Sequence, residues 1–312
     1  MAPFLAADLG GTNFRVAVID DGGEVVVRRA RPLPASKGGS DILAAIAELA
    51  EECIAASATE RPGLFGLAVP AVVDADRGVV VQAPNLPDLD GAPVAQTLGE
   101  SLGARVFLEN DATAAAIGEH WKGASANFAN VVHITLGTGV GGGLIFEGRP
   151  YRGADGTAGE LGHICVEPDG VRCGCGSNGC VEQYASAKAI IRMAKERPEF
   201  AGIEDLTAEA VYDRAVQGDS RAAEIFASAG RYLGIALGGL VNALNPDAIV
   251  VGGGVADSWD MLGPAIEREL KYRAFPRPFV RVKLLRSALG DDAGLIGAAR
   301  AAATGSQAPT AG

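Results

Sequence analysis

The sequence has no run of about 18 or more apolar residues, and its start, PFLAADLGG, carries neither a basic region nor a long apolar one. Neither a membrane-spanning helix nor a secretory leader is expected, and the expected compartment is the cytoplasm. Basic residues are in deficit, with 27 Lys and Arg against 38 Asp and Glu and a net charge of -11. Nucleic acids and anionic membranes select clustered cations, so neither is an expected partner. Cysteine is scarce and odd in number, five in 312 residues, which argues against a disulfide framework and for a reducing compartment. There is no G-x4-G-K-[ST], so no P-loop, and no HRD or DFG of a protein kinase. The chain is 48% hydrophobic and 21% charged, a globular composition long enough for two domains.

Against these absences one segment stands out, GELGHICVEPDGVRCGCGSNGCVE from Gly159 to Glu182. His163, Cys173, Cys175 and Cys180 fall within eighteen residues, with Cys-x-Cys-x4-Cys on a glycine-rich turn. Zinc takes four such ligands in a tetrahedron, and a Cys3His set with no open position is structural. Cys165 is the rival for the fourth place, and Cys53 lies in a helical pattern as a small core residue. Glu160 and Glu182 bracket the cluster. A metal that pins the loop also pins these acids and His163, which suit the hydroxyls of a sugar.

Apolar runs at 3–8, 14–20, 24–30, 64–74, 104–110, 130–137, 140–148, 247–253 and 280–285 predict strands. Helical periodicity covers 40–57, 111–121, about 180–197, 207–214, 219–244, 258–272 and 292–303. Alternating strands and helices mean an α/β fold. The expected organisation is a small N-terminal α/β lobe over 1–117, completed by a C-terminal helix at 292–304. A larger α/β lobe over 118–291 carries the zinc loop, and a frayed tail follows at 305–312. DLGGTNFRVAVIDDG (8–22) and LGTGVGGGLIFEG (136–148) echo each other as strand, Gly/Thr turn, strand, which fits two related lobes.

Gly137 to Gly142 match G-x-G-x-x-G, but a strand-like LIFEG follows where a dinucleotide fingerprint needs a helix. The two hairpin turns, with Thr12 and Thr138, read either as tight turns or as phosphate cradles built from backbone N–H groups. Gly252, Gly253 and Gly254 end a buried strand, where a bulky ligand can lie on bare backbone. Glu109-Asn110-Asp111 ends a strand and opens a helix. Asp111 reads either as a helix cap or as a general base at the carboxyl end of a strand, with Asn110 beside it as donor and acceptor for hydroxyls.

The segments DLGGTN, APNL, ENDA, LGTGVGGG, GELGH, CGCGSNGCVEQ and VVGGG, in this order over about residues 4 to 300, closely resemble the ROK family of sugar kinases and repressors. Within it the chain looks most like bacterial ATP-dependent glucokinases. The resemblance implies an actin-like, ribonuclease-H-like fold of two lobes with the active site in the cleft, and a homodimer. It puts the catalytic base on Asp111 and sugar contacts on Asn85, Asn110, Asp111, Glu160, His163 and Glu182. It puts phosphate loops on Gly10, Gly11, Thr12 and Asn13 and on Thr138 and Gly139, and a nucleotide-side turn on Gly252 to Gly254. The zinc ligands become His163, Cys173, Cys175 and Cys180, which leaves Cys165 to packing. With a first strand near residue 3, the DNA-binding segment of the family's repressors is not expected ahead of it. The expected activity is ATP-dependent phosphorylation of a hexose, glucose first, at its 6-hydroxyl. Mg2+ is held through water by Asp8, which otherwise caps a turn. N-acetylglucosamine, N-acetylmannosamine or fructose as substrate, polyphosphate as donor, and a non-catalytic sugar sensor are the alternatives.

Overall fold

In the computed structural model, which describes residues 2–36 and 38–305, the elements follow the apolar runs. The first unit opens with β1 (Phe4–Leu9), β2 (Asn13–Ile19), β3 (Val25–Pro32) and α1 (Gly39–Ser57). Next come β4 (Leu64–Val69), β5 (Val72–Asp74), β6 (Val79–Gln82), α2 (Val94–Leu102), β7 (Arg105–Asn110) and α3 (Asp111–Lys122). Then follow β8 (Val131–Leu136), β9 (Val140–Phe146) and β10 (Arg149–Pro150). After the cysteine loop come α4 (Glu182–Ala185), α5 (Ala187–Lys195), α6 (Ala208–Val216), α7 (Ser220–Leu244) and β11 (Ala248–Gly252). The chain closes with α8 (Trp259–Arg273), α9 (Pro276–Arg281), β12 (Lys283–Arg286) and α10 (Ala293–Gly305).

Two sheets share one plan. The first has the order β3-β2-β1-β4-β7 and the second β10-β9-β8-β11-β12. In each, the strand before a Gly/Thr turn pairs with the strand after it, a third strand extends that side, and two later strands extend the other. In the first sheet the later two run parallel to β1, as β11 and β12 run parallel to each other and to β8 in the second. The hairpin echo in the sequence is therefore an echo of topology.

The chain forms two compact units: residues 1–127, 143–158 and 291–312, and residues 128–142 and 159–290. The boundary expected at residue 117 would fall inside α3, which runs unbroken to Lys122. The tail expected at 305–312 lies, beyond Gly305, outside the described residues. No helix among the described residues is long and apolar enough to cross a membrane.

The first unit's core lies between the sheet and α1, whose Ile42, Ile46, Leu49 and Cys53 follow helical spacing and meet Leu5, Val16 and Leu67. Each such aliphatic side chain contributes about 1.5–3 kcal/mol on burial. Helices α3 and α10 cross at backbone distance. A Cβ on Gly297 would lie 1.6 Å from the Ala114 carbonyl oxygen, so only glycine permits the contact. In the second unit, α7 packs on α8, and Tyr184 stacks on Tyr232 at 4.0 Å while its hydroxyl accepts from Val171 N–H. This anchors the cysteine loop to α7.

Several elements depart from the sequence reading for local reasons. The run 64–74 divides at Pro70, which cannot donate to a ladder, and β5 instead pairs with β6 in a separate small sheet. The strand expected at 280–285 starts only at Lys283, because Pro276 and Pro278 open the short helix α9. The helix expected after the cysteines breaks at Ser186, whose hydroxyl caps α5 through Ala189 N–H at 3.1 Å. Strand β9 ends at Phe146 because Glu147 and Gly148, at φ 51° and 73°, make the two-residue turn that leads to β10.

Candidate active site

The parallel register aligns the carboxyl ends of β1, β4 and β7. Asp8 pairs with Ala68, Ala68 with Glu109, and Val69 with Asn110. Glu109, Asn110 and Asp111 thus leave the sheet at the end where Asp8 and the Gly10–Asn13 turn stand, where open α/β sheets place ligands. The three have different roles. Glu109 is 2% exposed and its carboxylate binds the Arg152 guanidinium, with Nε 3.1 Å from Oε2. Asn110 caps α3: its Oδ1 accepts from Thr113 N–H at 3.0 Å and its Nδ2 donates to the Ala71 carbonyl at 3.3 Å. The cap reading of Asp111 is therefore corrected. Asp111 is the first helical residue, its Oδ1 accepting from Ala112 N–H at 2.9 Å. A carboxylate there is also favoured by the helix dipole.

Arg152→Ala would strand the Glu109 carboxylate in the core. We expect it to lower stability by roughly 2–3 kcal/mol, below the value for a fully buried pair because the Arg152 side chain is 39% exposed. Chemical denaturation measures this, and a loss under 0.5 kcal/mol would contradict a buried charge pair.

Asp8 is held by Arg15, whose Nη2 lies 2.6 Å from Oδ2. Burial pushes the Asp8 carboxyl up, and Arg15 opposes that shift by its charge and hydrogen bond. Arg15 was not singled out in the sequence. The signal was there, since a hairpin turning at residues 10–12 pairs Asp8 with Arg15. The turn itself is closed by Gly10 N–H to the Asn13 carbonyl at 2.9 Å and braced by Leu33 N–H to the Thr12 carbonyl at 2.8 Å. Asn85 is exposed, on a loop pinned by buried Leu86 and Leu89.

The second unit holds the remaining residues. Gly137 N–H closes the second turn on the Gly139 carbonyl at 2.9 Å, presenting Thr138 at its tip. Beside it, Gly253 adopts φ 81°, and a Cβ there would stand 2.4 Å from the Leu136 carbonyl oxygen. Only glycine fits, so the Gly252–Gly254 turn lies against the end of β8, next to the Thr138 turn.

The ligand atoms of His163, Cys173, Cys175 and Cys180 all lie within 4.8 Å of one another. His163 Nδ1 is 3.6 Å from Cys173 Sγ, and Cys175 Sγ is 3.6 Å from Cys180 Sγ. A tetrahedron with bonds of about 2.3 Å has edges near 3.7 Å, so the donor set fits zinc in size and type. Cys165 is not in the set; it is exposed and bridges to Cys180 only through backbone. Without a cation, burial and then the neighbouring Cys175 and Cys173 push the Cys180 thiol up to about 12. Three adjoining thiols resist joint ionisation, and a bound dication removes that resistance. His163 turns Nδ1 to the cysteines and Nε2 to Glu160, 3.7 Å from Oε2. A metal on Nδ1 would fix the tautomer of the ring nitrogen that faces outward. Glu182 opens α4 and its Oε2 accepts from Val140 N–H at 3.0 Å.

Two sheets of one plan, each headed by a Gly/Thr turn, with an acid at a strand end and a loop of four donors that could hold a metal, define the frame of an actin-like sugar kinase fold. The ROK family model matches residues 4–304, and the chain belongs to the ROK family. A glucokinase of Thermotoga maritima is 36% identical over 306 residues, 95% of each chain. The structure of a ROK family glucokinase from Streptomyces griseus in complex with glucose and AMPPNP superposes with a TM-score of 0.84 at 33% identity, covering 97% of this chain and 100% of that one. A ROK family transcriptional regulator, a homologue of the E. coli MLC protein, superposes with a TM-score of 0.87 at 30% identity, covering 96% of this chain and 78% of that one.

Proposed function

We propose that this protein is an ATP-dependent hexose kinase that phosphorylates glucose at its 6-hydroxyl. The observation that carries this reading is the strand register that sets Glu109-Asn110-Asp111 at the carboxyl end of β7, on the side of the sheet where Asp8 and the Gly10–Asn13 turn stand. Asp111, the first residue of α3, is the base in this reading. It accepts a hydrogen bond from the attacking hydroxyl and takes its proton. The O6–P bond forms as the bond from the γ-phosphorus to ADP breaks. Such transfer is mostly positioning and charge neutralisation. Magnesium, bound with ATP, supplies charge at the phosphates, and Asp8 would face it. Thr12, Thr138 and the turn backbones donate to phosphate oxygens, and the Gly252–Gly254 turn receives the nucleoside. Asn85, Asn110, Glu160, His163 and Glu182 read the ring hydroxyls, and a site that pairs each hydroxyl rejects sugars that lack one. Zinc on the four ligands is structural. A cytoplasmic homodimer completes the reading, on the strength of the family.

A coupled ADP-release assay with Mg-ATP against glucose, N-acetylglucosamine, N-acetylmannosamine, mannose and fructose tests it. Turnover on glucose is expected; turnover on an N-acetyl sugar would move the substrate, and none with ATP but some with polyphosphate would move the donor. The second reading, a sugar-sensing regulator, draws on the regulator's close superposition. It would show sugar binding with neither nucleotide binding nor turnover.

A further inference from the structure

Glu182 opens the helix that leaves the metal loop, two residues after Cys180, yet its hydrogen bond is made to the other glycine-rich segment of the second unit. Its Oε2 accepts from Val140 N–H at 3.0 Å. The same oxygen lies over Gly139, where a Cβ would stand 2.4 Å from it. On the other flank of the turn, Ala187 N–H donates to the Gly137 carbonyl at 2.9 Å. The turn from Gly137 to Val140 is thus gripped at both ends by residues 182–187. That grip runs back to the cluster through Cys180 and through Val181 N–H, which donates to the Ile164 carbonyl at 2.9 Å beside His163. Two short backbone bonds and one carboxylate therefore connect the metal loop to the Thr138 turn.

We propose that Glu182 is a positioning residue for the nucleotide as well as a sugar ligand, so that hexose and nucleotide binding are coupled through one carboxylate. A carboxylate has about four acceptor sites on two oxygens. Oε2 holds Val140, and Oε1 is a separate acceptor for a sugar hydroxyl. A hydroxyl on Oε1 fixes the χ angles that aim Oε2 at Val140 N–H. A fixed turn favours phosphate oxygens on the Thr138–Gly139 backbone, so the coupling is positive. The inference rests on the reading of that turn as a phosphate site.

The test is calorimetric titration of zinc-replete protein with Mg-AMPPNP, with and without glucose, zinc content being measured on each variant. In the wild type, glucose should tighten AMPPNP by about 5-fold or more, the lower range of ordinary coupling. Glu182→Ala should weaken AMPPNP by about 5-fold with no sugar present, an effect that a pure sugar ligand would not produce. Glu182→Asp, one methylene shorter, withdraws the oxygen from Val140 while keeping the charge and should show the same loss. Glu182→Gln keeps an acceptor for Val140 and should retain sugar-free nucleotide affinity while losing the response to glucose. Unchanged sugar-free affinity in the Ala and Asp variants, alongside weakened binding in Thr138→Ala, would overturn the inference and leave the phosphate turn standing. Unchanged affinity in Thr138→Ala as well would sink the phosphate-turn reading itself.

Discussion

Asp111→Asn should unfold at nearly the wild-type temperature and turn over glucose about 10²–10⁴-fold more slowly, the range that a lost general base spans. The stability half of this expectation follows from the cap. Asn110 caps α3 through Thr113 N–H, an amide oxygen at residue 111 can still accept from Ala112 N–H, and Glu109 keeps its partner Arg152. What the substitution removes from the helix is a favourable charge at the positive end of the dipole, about 0.3–1 kcal/mol. The catalytic half follows from chemistry. An amide can still hold the sugar hydroxyl but cannot accept its proton, so kcat should fall while KM for glucose changes little. Coupled ADP release and differential scanning calorimetry measure the two halves. Near wild-type kcat would remove Asp111 as the base, and a collapse in melting temperature would show that its role is structural.

The second large effect should come from the metal loop. Cys175→Ser is expected to lose bound zinc and to raise KM for glucose about 10–100-fold, the cost usually seen when groups that orient a site are freed. The loop is rich in turns and poor in core. Apart from Leu161, Cys173, Cys180 and Val181, few of its side chains are buried. Its shape is held by bonds such as Cys173 N–H to the Ser177 carbonyl at 2.8 Å and Gly179 N–H to the Val171 carbonyl at 2.8 Å. Each contributes only about 1 kcal/mol. Four metal bonds exceed them together, so without the ion Glu160, His163 and Glu182 lose their fixed positions. The sheets and the α7–α8 pair do not depend on the loop, so circular dichroism should stay near native. Metal analysis beside glucose titration is the check. A zinc-free variant with wild-type affinity for glucose would show that the cluster does not support the sugar site.

How far the site was legible varied with the range of the contacts. The cysteine spacing, the two Gly/Thr turns and the acid at residue 111 were visible because each depends on neighbours within a few positions. The choice between His163 and Cys165 was open by spacing alone, and it took the fold of the loop to put the Nδ1 of His163 beside Cys173. The cap offered as the alternative reading of Asp111 belongs one position earlier, to Asn110. Whether a residue is the cap or the first helical residue depends on a single ψ, 142° at Asn110, which periodicity cannot resolve. The breaks at Pro70 and Pro276 were marked in the sequence by proline, yet apolar runs on either side masked them.

By itself the sequence laid out the groups on which the proposed chemistry rests: a Cys3His donor set, two Gly/Thr turns and an acid at a strand end. Ligand spacing, glycine turns and helix starts are local, and local geometry is written in adjacent residues. Only the tertiary structure decided how those groups are held. Arg152 reaches Glu109 across 43 positions and Glu182 reaches Val140 across 42. Arg15 meets Asp8 because of strand register. Contacts of that span arise from sheet order and helix packing, where many weak interactions are summed, and no short stretch of sequence contains the sum.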